Sequence, residues 1–140
     1  MTENYLAKPC DSFTFPRTGH VVRNRSVLAA MTNKQSHEDG SISDQEIRWL
    51  NRRAKGGFGI VTTAAANVSK EGKAWTGEIG LYNDSHIENL IKLVDSVHDH
   101  GSLIFAQLFH GGMKAPESLT GKIPLSASSI PCEESSIGVT

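Results

Sequence analysis

The stretch Ser102–Lys114, SLIFAQLFHGGMK, decides how the rest of the chain is read. Leu103, Ile104, Phe105, Ala106 and Leu108 form a short, nearly continuous apolar run, which fits a parallel strand covered on both faces better than a half-exposed antiparallel one. Gln107 interrupts it. A primary amide there has two donors and an acceptor to satisfy, so it either meets backbone inside a core or faces a ligand that offers both kinds of partner. His110, Gly111 and Gly112 follow directly, where glycine permits a tight turn or a close approach of backbone to another molecule.

Upstream of this strand, Asp84 or Ser85 is an N-cap for a helix in which Ile87, Leu90, Ile91, Val94 and Val97 recur at helical spacing, closed by Gly101. FGIVTT at 58–63 reads as a second strand, followed by a long loop over Ala64–Gly80. SVLAAM at 26–31 reads as the first strand, and a polar loop leads from it to Ser43. Ser43 and Glu46 have capping-box spacing, so a helix is expected over Asp44–Lys55, with Ile47, Leu50 and Ala54 on one face, Trp49 beside them, and Gly56 and Gly57 ending it. The GGFG at 56–59 follows a helix and precedes a strand, the reverse of the order in which a glycine loop cradles phosphate at a helix N-terminus. Residues 1–25 read as a small hairpin or cap, and everything after His110 as loop.

Strands at about 26–31, 58–63 and 102–108, each pair separated by one helix, form a strand-helix-strand-helix-strand unit, which resolves as a parallel sheet with right-handed crossovers. The fold class is therefore α/β, and both doubly wound sheets and eight-fold barrels contain this unit. Polar or small residues stand just after each strand: Thr32, then Thr63 and Ala64, then Gln107 and His110. One site at the C-terminal ends of the strands is the common expectation of both architectures.

Composition removes several classes. With 14 basic and 15 acidic side chains spread along 140 residues, the net charge is −1, and no electrostatic footprint for nucleic acid or an anionic membrane surface is present. No apolar run approaches a membrane span and the N-terminus lacks a signal-peptide pattern, so a cytoplasmic location is expected. Cys10 and Cys132 have no metal-binding or redox spacing and fit free thiols in a reducing compartment. His98 and His100, two apart at a helix end, point in different directions and read as a solvated last turn rather than a metal site.

Taken together, NRSVLAAMT, the DG followed by SDQEIRWLNRRAKGGFGIVTTAAANVSKEGK, and LYNDSHIENLIKLVDSVHDHGSLIFAQLFHGGM resemble the opening third of the old yellow enzyme family of flavin oxidoreductases, over residues 12–128. That resemblance implies a (β/α)8 TIM barrel with bound FMN, which takes a hydride from NAD(P)H and reduces an activated alkene or similar small-molecule electron acceptor. Residues 1–140 would then be the N-terminal part of one FMN-binding barrel domain, with 1–25 a β cap, 26–110 the β-α-β-α-β portion and 111–140 loop. A catalytically inactive barrel piece with a binding role is the competing reading, and homo-oligomerisation is left open for a full-length chain.

The resemblance also implies roles residue by residue. Ala30 and Met31 would meet the flavin ring through backbone and apolar surface, while Thr32 would reach its O4/N5 side. Thr63 and Ala64 would bring backbone close to the ring, and Gln107 would face its pyrimidine edge. Met113 after Gly111-Gly112, and Ala30 in place of the more usual proline, mark a divergent branch. The family's substrate anchor, proton donor and phosphate-binding residues match no position here. The resemblance implies that the catalytic residues lie beyond Thr140, and His110, on a different strand, is not that anchor.

Overall fold

The structure is a computed structural model and describes residues 6–128. Helix α1 covers Asp44–Lys55, the span that the sequence predicts, because Ser43 in extended backbone accepts the N–H of Glu46 at 3.1 Å and Gly56 closes the other end. Only half of the expected capping box forms. The Glu46 side chain turns inward to the preceding loop instead of back to Ser43.

The chain begins with a hairpin of β1 (Phe13–Thr14) and β2 (Val21–Val22), as expected for the cap. The first parallel strand, β3, is only Val27–Leu28, shorter than the expected 26–31. The second, β4 (Ile60–Asn67), is longer than expected and carries Ala64–Ala66, which the sequence places in a loop. β5 (Ile79–Gly80) lies inside the same supposed loop, after a 3-10 turn at Lys70–Gly72. These corrections share one cause. Ile60 and Val61 pair with β3 while Ala66 and Asn67 pair with β5 on the same edge of β4, so the short β5 takes the place beside β4 that Ala29–Met31 leave. Small alanines, weak strand formers by propensity, hold this strand because they fit beneath the helices.

Along its other edge β4 pairs in parallel with β6 (Leu103–Phe109). The register skips once. Thr62 faces Phe105 and Ala65 faces Gln107, leaving Thr63 and Ala64 opposite Ala106 in a β-bulge. β6 is not covered on both faces as expected: Phe105 is 47% and Leu108 is 68% exposed, since β6 has no further neighbour among the described residues.

Before α2 (Ile87–His98), Asn83 rather than Asp84 or Ser85 is the cap, and it holds a 3-10 turn over Asp84–His86. Leu93 and Val97 are the buried positions of α2, with Leu90 packed against the core, whereas Ile87 and Ile91 of the expected stripe are about half exposed. Leu28, Val61, Ala64 and Ala66 of the sheet meet Leu50, Ala54, Leu93 and Val97 of the helices in one apolar cluster. Arg23 ties the opposite ends together. Its guanidinium donates to the carbonyls of Ala54 at 2.6 Å and His100 at 2.8 Å, at the C-terminal ends of both helices, and to the Phe58 carbonyl at 2.9 Å.

After β6 the chain is not loop alone: a 3-10 turn at Gly112–Lys114 precedes a short helix, α3 (Glu117–Thr120). The rest of the expected loop, from 129 to Thr140, lies outside the described residues, and with it Cys132; Cys10 is exposed. Among the described residues, no helix is long and apolar enough to cross a membrane, and no cluster of three or more side chains could ligate a metal.

Candidate functional site

Residues paired in a parallel sheet share a face, so the helix-packed cluster of Val61, Ala64, Ala66 and Ile104 fixes what the other face carries. That face holds Thr62, Ala65, Phe105, Gln107 and Phe109. Phe105 meets the cap residue Phe15 at one end, with ring centroids 6.5 Å apart, and Phe109 meets Trp75 at the other, 5.1 Å apart. Gln107 stands between them and is exposed.

The bulge is what aims it. The Thr63 hydroxyl accepts the Gln107 N–H at 3.2 Å and donates to the Ala64 carbonyl at 2.7 Å, so it fills the gap that the extra residue opens in the ladder. Thr63 and Ala64 are both buried, Ala64 in the cluster beneath the helices. From the end of β3, Ala30 is half-buried, while Met31 and Thr32 are exposed. The six expected residues therefore come from neighbouring strands: Ala30, Met31 and Thr32 follow β3, Thr63 and Ala64 form the bulge in the middle of β4 rather than standing after it, and Gln107 lies within β6.

Two buried carboxyls support this end of the sheet, and the sequence reading assigned neither a role there. Glu46, fully buried, accepts the Asn33 amide N–H on Oε1 at 3.0 Å and the Ser36 hydroxyl on Oε2 at 2.5 Å. Burial pushes its carboxyl above the usual value, against the lowering effect of those two hydrogen bonds. The signal was present: Glu46, Leu50 and Ala54 are four apart, the spacing of one buried helix face. Glu78 is 1% exposed, and burial pushes it up to about 7, although the N–H groups of Ala74 and Trp75 and the charge of Lys73 favour the carboxylate. Its Oε2 accepts the Ala74 N–H at 2.8 Å, while Oε1 has no partner among the described residues. No sequence pattern marks Glu78, because its burial comes from the pairing of β5 with β4.

Lys73, itself buried, donates from Nζ to the Glu38 carbonyl and thereby joins the loop after β4 to the loop after β3. His110 is exposed and its Nδ1 accepts the Gly112 N–H at 3.0 Å; its ring lies so close to Gly72 that a Cβ there would come within 2.5 Å of it. An apolar cavity of about 190 Å³ lies at the opposite end, under the hairpin, lined by Phe13, Phe15, Val22, Val27 and Ile60.

The sequence pattern of the NADH:flavin oxidoreductase / NADH oxidase family matches residues 17–136. The chain belongs to that family. Similar proteins include the Bacillus subtilis protein named "Probable NADH-dependent flavin oxidoreductase YqiG", 38% identical over 109 residues, which are 78% of this chain and 29% of that protein. Among solved structures, an old yellow enzyme homologue from Zymomonas mobilis superimposes with a TM-score of 0.79 at 28% identity, covering 86% of this chain and 33% of that one. A 2-naphthoyl-CoA reductase bound to 2-naphthoyl-CoA gives 0.75 at 32% identity, covering 81% and 17%. The chain thus spans a third or less of the length of these relatives.

The NADH:flavin oxidoreductase family uses FMN with NAD(P)H. The residues on this face fit that cofactor chemically. An exposed amide supplies donor and acceptor together, Thr32 adds an exposed hydroxyl, and Met31 adds exposed apolar surface. None of the six is a cation, so what they fit is the ring rather than the phosphate.

Proposed function

We propose that this chain forms the first strand-helix units of a (β/α)8 barrel and supplies one wall of the flavin pocket of an FMN-dependent NAD(P)H oxidoreductase that reduces an activated alkene or similar small-molecule acceptor. The observation that carries the proposal is Gln107, an exposed amide in an otherwise apolar strand, on the face opposite the helices. FMN, when bound, supplies the two-electron chemistry, passing reducing equivalents from NAD(P)H to the acceptor.

The side chains bind and tune. The flavin pyrimidine edge alternates carbonyl acceptors with an N–H donor, which an amide can complement at both kinds of position. Thr32 donates a hydrogen bond toward the O4/N5 side and favours the electron-rich state of the ring. Ala30 and Met31 cover ring surface, and the Thr63–Ala64 bulge offers backbone.

The test uses the whole purified protein. Anaerobic addition of NADH or NADPH should bleach a bound flavin absorbance, and an activated enone should restore it. A protein that binds no flavin, or whose flavin neither reductant bleaches, contradicts the proposal.

A further inference from the structure

We propose that Glu46 is a positioning residue for the flavin-facing loop: its buried carboxylate holds Asn33 and Ser36, and so fixes the backbone that presents Thr32. This rests on the flavin reading of Thr32 given above. The Thr32 side chain is exposed, and Lys34, two residues on, has a φ of +53°, a left-handed conformation that a lysine does not favour. Such backbone persists only where its surroundings determine it, and here the determinants stand on either side of Lys34.

On one side, the Asn33 amide donates to Glu46 Oε1 while its own Oδ1 accepts the Gln35 N–H at 3.1 Å. On the other, the Ser36 hydroxyl donates to Glu46 Oε2 and the Ser36 N–H donates to the Gly77 carbonyl at 3.1 Å. Gly77 is pressed against the same turn, since a Cβ there would approach the Lys34 carbonyl oxygen to 2.5 Å. A single carboxylate thus clamps both shoulders of the strained turn, one oxygen to each. The clamp is rigidly mounted, because Glu46 sits in the first turn of α1 with its N–H held by Ser43 and with Leu50 and Ala54 of the same helix face in the core.

A positioning role differs from simple stabilisation in what the variants move. In Glu46→Gln the amide oxygen still accepts from Asn33, and the amide NH₂ donates to Ser36, whose hydroxyl can accept as well as donate. That variant should restore wild-type behaviour. Glu46→Leu leaves both donors unpaired, and Ser36→Ala removes one shoulder with a much milder change to the core, so it remains informative if Glu46→Leu does not fold.

Hydrogen exchange over residues 33–36 and the absorption spectrum of bound flavin are the two readouts, on the whole protein. In Ser36→Ala and Glu46→Leu, the amides of Gln35 and Ser36 should exchange about tenfold faster, and the flavin band and the rate of its reduction by NAD(P)H should shift; Glu46→Gln should match wild type in both. Unchanged exchange at Gln35 and Ser36 in both disruptive variants overturns the clamp. Faster exchange with an unaltered flavin spectrum and reduction rate overturns the positioning of Thr32, as does a Glu46→Gln protein as impaired as Glu46→Leu. A wild-type protein without flavin would instead overturn the functional reading, while the exchange data would still judge the clamp.

Discussion

The backbone N–H of Gln107 donates to the hydroxyl of Thr63 across the sheet at 3.2 Å, at the point where β4 carries one residue more than β6. Without the extra residue, the alternation of β4 would be reversed beyond Thr62, and the alanines that now fit under the helices would trade faces with their neighbours. The bulge therefore keeps Val61, Ala64 and Ala66 on the helix side while Gln107 opens to the other.

Thr63→Val keeps the shape of the side chain but removes the acceptor for Gln107 N–H and the donor for the Ala64 carbonyl. An unpaired buried group costs about 1–3 kcal/mol, so urea denaturation should show a loss of that order. Hydrogen exchange should locate the change at Gln107. Unaltered stability and exchange would mean that the bulge holds without the hydroxyl.

Glu78 makes stability depend on pH in a defined direction. Its folded value of about 7 lies above the ordinary carboxyl value of 4.5, so the fold favours the protonated acid. Its contribution is complete below 4.5 and is lost as pH rises through about 7, by about 3–4 kcal/mol at most. The melting temperature of the whole protein should fall over that window, and Glu78→Gln should flatten the fall. A variant with the same pH profile as wild type would assign the dependence to another group.

Thr32→Val should lower the flavin midpoint potential and slow its reduction by NAD(P)H, with the melting temperature unchanged, because Thr32 is exposed and its hydroxyl is assigned only to the cofactor. One hydrogen bond of about 1.4 kcal/mol corresponds to about tenfold in rate. Equal reductive half-reactions in stopped flow would remove Thr32 from the tuning role.

The limits of α1 were legible because local chemistry writes them: a serine cap, then glycines. The β-α-β-α-β order was legible from periodicity. The path from Ala64 to Gly80 was not, because alanine carries no strand preference and these residues are held by packing against helices distant in sequence. In α2 the apolar residues cover more than one face, so spacing alone did not distinguish the buried Leu93 from the exposed Ile87 and Ile91. At the site, Gln107 stood out as a polar residue in an apolar strand. Glu46 stood at the right spacing for burial, but its charge in a first turn also matches an ordinary solvated helix start.

The most direct measurement is a fluorescence titration of the whole protein with FMN, comparing wild type with Gln107→Leu. An apolar side chain facing the pyrimidine edge should cost about 1–3 kcal/mol, or between about fivefold and about 150-fold in affinity, in a protein that folds as well as wild type. Identical FMN affinity in the folded variant would contradict the assignment of Gln107 to the flavin, and with it the wall of the pocket proposed for this face.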